Sequence, residues 1–285
     1  MERELWPLLY GHIQAAAKLL TQRYVQYQPG VIVTVYFWAV LHDRHPAWAC
    51  NESNWGACGD RPRHLPSAST LSRRLRRIVI GSFFRLIAER LRTSGVPALV
   101  ALIDGKPLVV GGNSKDPDAS KGWAAGHVAK GYKFHAIWGD QPLPDAWEIL
   151  SLKDGEKATA VTLLAQTRAR PKGYLLADGN YDASHVYDAS ARVGRQLLAP
   201  CRKAKNPGCG KHYQSPHRIA AIRIMNTPKG QKRFRRRTDI ERRFAHLTGF
   251  AGGLGPLPAW VRRIRRVKLW VWSKLLINAV RILRR

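Results

Sequence analysis

The sequence predicts an α/β fold, a mixed sheet flanked by helices, preceded by a mainly helical region over residues 1–95. Three observations predict it. Apolar residues recur at helical spacing as far as Leu91, and Ser94-Gly95-Val96-Pro97 then punctuates the chain. Beyond that point, short apolar runs alternate with helical patterns, the layout of an α/β domain. Two of those runs end in Asp-Gly, at Asp104-Gly105 and Asp178-Gly179. The expected organisation is a helical region over 1–95 and an α/β domain over 96–285 that closes with a basic helical tail.

Leu5 to Tyr24 has helical spacing, which Pro29-Gly30 breaks. Val31 to Leu41 is a buried helix or a strand, since periodicity alone does not arbitrate a short apolar run. His42 to Arg63, rich in Pro, Gly, Asn and Asp, reads as a loop. A single helix is expected from Pro66-Ser67, with a Ser cap and Leu71, Leu75, Ile78 and Val79 on one face. Its other face carries Arg73, Arg74, Arg76 and Arg77, which suits a nucleic-acid backbone or simply solvent.

In the second region, strands are expected over 98–103, 107–110, 132–138, 146–152, 173–177 and 195–199. Helices are expected over 156–168, 184–193 and 234–247, with Cys201 to Gly230 loop-like. The tail from Leu257 places Leu269, Trp272, Leu276, Ala279 and Leu283 on one helical face. Trp123, Trp138 and Trp147 read as core or rim residues in preference to base-stacking platforms. Lys121 and Lys130 face DNA or solvent.

Charge narrows the function classes. The chain has 48 Lys+Arg against 19 Asp+Glu, a formal net charge of +29. Such self-repulsion points to a polyanion partner, because each neutralised phosphate releases condensed counterions. Nucleic acid is the first reading and an anionic membrane surface the second. The longest apolar run, Val31 to Leu41, has eleven residues, against ~20 needed to span a bilayer. The start Met1-Glu2-Arg3-Glu4 lacks a secretion-signal layout, and four cysteines make no disulfide scaffold, so the cytoplasm is the expected compartment. The pairs Cys50/Cys58 and Cys201/Cys209 are spaced too widely for tight zinc sites; with His45, His64, His212 and His217 near them, zinc is the lesser reading.

The acids are more informative than the bases. From Ala189 to Arg285 the only carboxylates are Asp239 and Glu241, and between Lys229 and Arg285 they sit among 17 Lys/Arg. An acid on a basic surface either pairs with neighbouring arginines or holds a cation. Asp239 is expected to pair with Arg235, Arg236 or Arg243. Asp182 suits a supporting role near a site or a helix cap. Sites in open α/β sheets gather at strand ends, so Asp104 and Asp178 are candidates to converge, and a helix bringing Glu241 to the same edge would make three carboxylates. Oxygen ligands suit Mg²⁺, and two such ions can drive an in-line displacement at phosphorus. For an isolated strand-end aspartate, capping a turn is the commoner role.

These residues resemble the DDE transposases of bacterial insertion sequences. Leu102-Ile103-Asp104-Gly105 resembles the family's first acid, and Lys130-Gly131-Tyr132-Lys133-Phe134-His135 the strand after it. Leu143-Pro144-Asp145-Ala146-Trp147 resembles the turn after that strand. Leu176-Ala177-Asp178-Gly179-Asn180-Tyr181-Asp182 resembles the second acid, and Arg237-Thr238-Asp239-Ile240-Glu241-Arg242-Arg243-Phe244 the helix of the third. Where part of the family has Tyr, Arg, Glu and Lys along that helix, this chain has Phe234, Arg237, Glu241 and Thr248. The resemblance implies a ribonuclease H-like catalytic domain with Asp104, Asp178 and Glu241 as catalytic residues and ligands of two Mg²⁺ or Mn²⁺ ions. It implies double-stranded DNA as partner, at element terminal repeats and target. A dimer in the DNA complex follows from the need to join two ends. Arg237, Arg73, Arg74, Arg76, Arg77, Lys229 and Lys232 are the expected DNA contacts. A DNA-binding protein that has lost catalysis and a nuclease of the same fold remain alternatives.

Overall fold

A computed structural model describes residues 2–56, 59–92, 95–124, 126–170, 172–201 and 214–284. In chain order the elements are α1 (Glu2–Leu19), α2 (Pro29–Leu41), α3 (Ala68–Arg74), α4 (Ile78–Arg90), β1 (Val100–Val109), β2 (Ser120–Ala124), β3 (His127–Trp138), β4 (Ala146–Ser151) and α5 (Glu156–Gln166). There follow β5 (Gly173–Leu176), α6 (Ser184–Arg192), β6 (Arg195–Leu198), α7 (Pro216–Met225), α8 (Pro228–Phe234), α9 (Asp239–Thr248) and α10 (Ile264–Leu283). The chain divides into two compact units. The first holds Met1–Thr93, His246–Val261 and Arg266–Arg285; the second holds Ser94–Ala245 and Arg262–Arg265. Among the described residues, no helix is long and apolar enough to cross a membrane.

The first unit is helical. Val31 to Leu41 is helix, although it is rich in β-branched residues: Pro29 stands in the first turn with its φ already set for a helix. This helix is apolar on every side and is buried accordingly. Trp38 stacks on Trp55 at 4.8 Å between centroids, and Trp6 meets both edge-on. Each indole N–H finds a carbonyl: Trp6 donates to Asp60, Trp38 to Asn54 and Trp55 to Ala49. The segment read as a loop contains two 3-10 turns, Pro46–Cys50 and Glu52–Trp55, that carry Trp48 and Trp55.

Two helical expectations change here. The single helix expected after Pro66 is two, because Arg77 is extended and begins α4. Arginines at 73, 74, 76 and 77 would repel one another at i,i+3 and i,i+4 in a continuous helix, and the break relieves this. Ile78, placed on the apolar face by periodicity, is 86% exposed as a result. The tail helix belongs by its contacts to this first unit and is buried nearly all round between Trp270 and Val280, so its core is not one stripe. Leu283 of the expected stripe is exposed. At its centre the fully buried Lys274 ammonium donates to the carbonyls of Val40 and Gly252 and pairs with Asp43 at 2.5 Å.

The second unit is a six-stranded mixed sheet in the order β2-β3-β1-β5-β6, with β4 also paired to β3. β1, β5 and β6 run parallel; β3 is antiparallel to β1, β2 and β4. β1 does not end at Asp104. It continues through Gly105 to Val109, since β3 pairs it from Leu102 to Val109; what ends near the acid is the parallel pairing with β5, at Leu102. The buried Arg195 ties the parallel strands together by donating to the carbonyls of Ala98 and Tyr174. β2 has no counterpart in the sequence reading. The region expected to be loop-like holds α7 and α8, each with Pro in its first turn behind a capping Ser215 or Thr227; residues 202–213 lie outside the described ones.

Candidate metal-binding active site

The sheet register places the two aspartates side by side. Leu102 and Leu176 are parallel partners, and Asp104 and Asp178 each lie two residues further along. Two residues is one strand repeat, so both project from the same sheet face where β5 stops and β1 goes on. Asp104 Oδ1 accepts the N–H of Gly105 at 2.7 Å. Asp178 Oδ1 accepts the N–H of Asn180 at 2.8 Å and caps the 3-10 turn Gly179–Tyr181. The second oxygen accepts a long 3.4 Å contact from the Asn180 side-chain amide, so the capping role and a metal-binding one are compatible.

Burial raises both carboxylates above their ordinary range. Burial, helped by the charge of Asp178, pushes Asp104 up to about 6, against the opposing Gly105 N–H. Burial raises Asp178 too, with Glu156 adding; the Asn180 N–H, Arg237 and Lys133 offset part of this. Gly105 is required locally: a Cβ there would lie 2.8 Å from the Lys133 side chain and 3.0 Å from Nδ1 of His135. His135 is buried, and neither ring nitrogen has a hydrogen-bond partner among the described residues. Burial pushes it down to about 4, so the ring is neutral at physiological pH.

Two residues here escaped the sequence reading. Glu156, in the first turn of α5, forms an ion pair with Lys133 of β3. Its charge is felt at Asp104, Asp178 and Tyr181. A signal was present for both: Asp154-Gly155-Glu156 is an acidic helix start, and Lys133 stands within the strand segment already singled out.

The third acid is placed differently. The helix α9 rests Phe244 against Phe134 and Trp138, at 6.1 and 5.6 Å between ring centroids. Phe134, Ala136 and Trp138 alternate along β3, and Ala136 is the partner of Asp104, so α9 covers the sheet face that bears Asp104. The charge of Arg237 reaches both aspartates. Glu241 itself is 66% exposed, with its carboxylate 3.8 Å from Arg237. Among the described residues, no three His, Cys, Asp or Glu side chains gather as a metal-binding group, so the structure does not bring Glu241 together with the two aspartates.

A family model described as the transposase DDE domain matches residues 96–255. The chain belongs to the transposase DDE domain family. The match opens two residues into the second unit and contains Asp104, Asp178 and Glu241. Among curated proteins, none matches this DDE transposase chain. Family membership carries transposase activity, DNA as partner and divalent-metal use as coarse properties.

The remaining singled-out residues fall as follows. Arg73, Arg76 and Arg77 are exposed around the α3–α4 break, whereas Arg74 is half-buried and donates to the carbonyl of Tyr27. Lys229 and Lys232 are exposed on α8. Asp239 pairs with Arg236 and Arg242. Asp182 does not cap α6, whose N-cap is Ala183: it is buried in a two-pronged pair with Arg218, at 2.7 and 2.8 Å. Trp138 is core and Trp147 half-buried, but Trp123 is 69% exposed, neither core nor rim. Cys58, Cys209 and His212 lie outside the described residues, and Cys50 and Cys201 are free thiols.

Proposed function

We propose that this DDE transposase cuts and joins DNA at insertion-sequence ends, with Asp104, Asp178 and Glu241 as catalytic carboxylates for two Mg²⁺ or Mn²⁺ ions. The observation that carries the reading is the in-register pair Asp104–Asp178, two half-buried carboxylates whose pKa values are both raised, chiefly by burial. Oxygen donors of this kind suit a hard divalent ion. When bound, such ions activate the attacking oxygen and stabilise the leaving one.

The chain's own groups do the rest. Asp104 and Asp178 supply the fixed side of the site from adjacent strands. Glu241 supplies the third carboxylate from α9, where it is exposed and 3.8 Å from Arg237. Arg237 then contacts phosphate or orients Glu241. Lys229 and Lys232, with the arginines at 73, 74, 76 and 77, provide phosphate contacts, those of the helical region at the element's terminal repeats. Two ends joined in one event call for a dimer on DNA. If the +29 charge acts in this way, affinity falls log-linearly with salt, by ~0.9 in slope per phosphate contact.

The test is a labelled duplex carrying the element's own end, incubated with Mn²⁺ or Mg²⁺ against EDTA, beside Glu241→Gln. Metal-dependent nicking at the end, absent from the variant, supports the reading, and joined products separate a transposase from a simple nuclease of the same fold. Tight binding with no cleavage under any metal refutes it. That result favours a second reading, a DNA-binding protein without catalysis. The turn of Glu241 towards Arg237 and Thr248 in the place of a lysine are the observations on its side.

A further inference from the structure

The hairpin formed by β2 and the start of β3 projects past the rest of the sheet. From His127 to Lys130, β3 is paired with β2 alone, because β1 and β4 begin their pairing with it at Gly131 and Tyr132. On one face of this ribbon Trp123 stands opposite Val128, and Lys121 opposite Lys130. Trp123 is 69% and Val128 63% exposed, and Lys121 is exposed as well. A large aromatic side chain left in solvent beside a second apolar one is uncommon without a binding role.

The base of the ribbon is pinned. Gly122 lies so near the chain at Leu152 that a Cβ would stand 2.7 Å from its carbonyl oxygen. Ser120 Oγ accepts the N–H of Lys153 at 2.9 Å. Asp116 accepts from Tyr132 Oη–H at 2.6 Å and from the N–H of Arg263 at 2.9 Å, and Asp118 accepts from the N–H of Ile264. Asp116 and Asp118 are thus engaged in holding the ribbon. From Ala119 to Tyr132 the sequence contains no carboxylate, so the ribbon's own charge is purely basic.

We infer that this hairpin is a DNA-contacting ribbon in which Trp123 stacks on a nucleobase while Lys121 engages the neighbouring phosphate. A two-stranded ribbon fits the major groove of a duplex. Within the duplex both faces of a base are covered, so Trp123 takes a base that has left the stack; such stacking tolerates any sequence, since every base has a π face. The proposal rests on the DNA-processing reading above and adds where the duplex runs. Val128 and Ala136 lie on the same side of β3, and Ala136 is the partner of Asp104. Eight strand residues span ~26 Å, or about eight base pairs at 3.4 Å each. The stacked base therefore lies about seven to nine base pairs from the bond that Asp104 and Asp178 serve.

The experiment uses the full chain and duplexes of the element end carrying 2-aminopurine at successive positions. Wild-type protein is expected to quench 2-aminopurine in that window and not elsewhere. Trp123→Ala should abolish the quench and weaken binding by roughly five- to a hundredfold, and Trp123→Phe should restore most of both. Lys121→Ala should lower the salt slope by about one. A Trp123→Ala protein that binds and quenches like wild type refutes the ribbon while leaving the DNA reading intact. So does a Trp123→Ala protein that changes only from dimer to monomer by sedimentation, because the patch would then serve a second copy of the chain. Wild-type protein with no salt-dependent affinity for any duplex refutes the parent reading and the ribbon with it.

Discussion

Replacing Asp104 with Asn should stabilise the metal-free protein at neutral pH while destroying its chemistry. Asp104 is held at about 6 against an ordinary 3.8, mainly by burial. At 1.36 kcal/mol per unit the difference is about 3 kcal/mol, which solvent screening of a half-buried group reduces to about 1–2 kcal/mol. The sign follows from linkage. The folded state holds this proton more tightly than the unfolded chain, so stability is fully present below pH ~4 and falls as pH rises to ~6. An amide carries no such penalty, and its oxygen can still accept the N–H of Gly105. In a domain of this size the gain is roughly 3–7 °C in Tm. Thermal melts of wild type and Asp104→Asn in EDTA, from pH 4 to pH 8, measure it directly. The two curves should coincide near pH 4 and separate by pH 7. A variant that melts at or below wild type at pH 7.5, or one whose advantage is as large at pH 4, refutes the argument.

Three other perturbations test the same framework. Glu156→Gln removes a negative charge that raises both aspartates and releases Lys133 to face them, so carbon-detected NMR titration should find Asp104 and Asp178 at lower pKa values than in wild type; unchanged or higher values would contradict the placement of Glu156. Asp182→Asn leaves the buried guanidinium of Arg218 uncompensated and should cost about 3–5 kcal/mol by urea denaturation, with Arg218→Met on the same background recovering most of it; a loss below ~1 kcal/mol would mean the pair is solvated. Gly230→Ala puts a methyl 1.8 Å from the carbonyl oxygen of Ile224, so α7 and α8 must part at a cost of about 1–3 kcal/mol. A circular-dichroism melt unchanged by that substitution would show the approach to be looser than described.

How far the fold and site could be read beforehand depended on whether the deciding signal was local. The strands β3 to β6 and the helices α5 and α6 were legible because each is a short apolar run or helical pattern bounded by Gly, Pro or Asp. Asp104 and Asp178 were legible as a pair for the same reason. The end of β1 was misplaced because it is set by β3, where Val109 pairs with Gly131, 22 positions away. β2 was invisible: its residues do alternate in burial, but Ser-Lys-Gly-Trp-Ala puts the large apolar Trp123 on the exposed face, so the sequence shows no polar–apolar alternation. The helices α7 and α8 had visible Ser-Pro and Thr-Pro starts, which a strongly basic composition masked. Glu156 was overlooked because a helix-start acid usually serves only the helix dipole. Which face of α10 is core could not follow from periodicity, since that helix is enclosed on nearly every side.

The enclosure of Lys274 has a consequence for the timing of folding. Its ammonium binds Asp43, 231 residues earlier in the chain. At ~5–20 residues per second of synthesis, the early partner waits roughly 12–46 s for the later one. Over that interval the carbonyl of Val40 has the Asp43 N–H but not the ammonium, and Phe84 lacks the Trp272 ring that packs against it at 5.2 Å. The second unit, drawn almost wholly from one continuous stretch, is complete sooner. The arginines around α3 and α4 therefore gain a finished scaffold only when α10 has left the ribosome, whereas Asp104 and Asp178 come into register on strands made well before it.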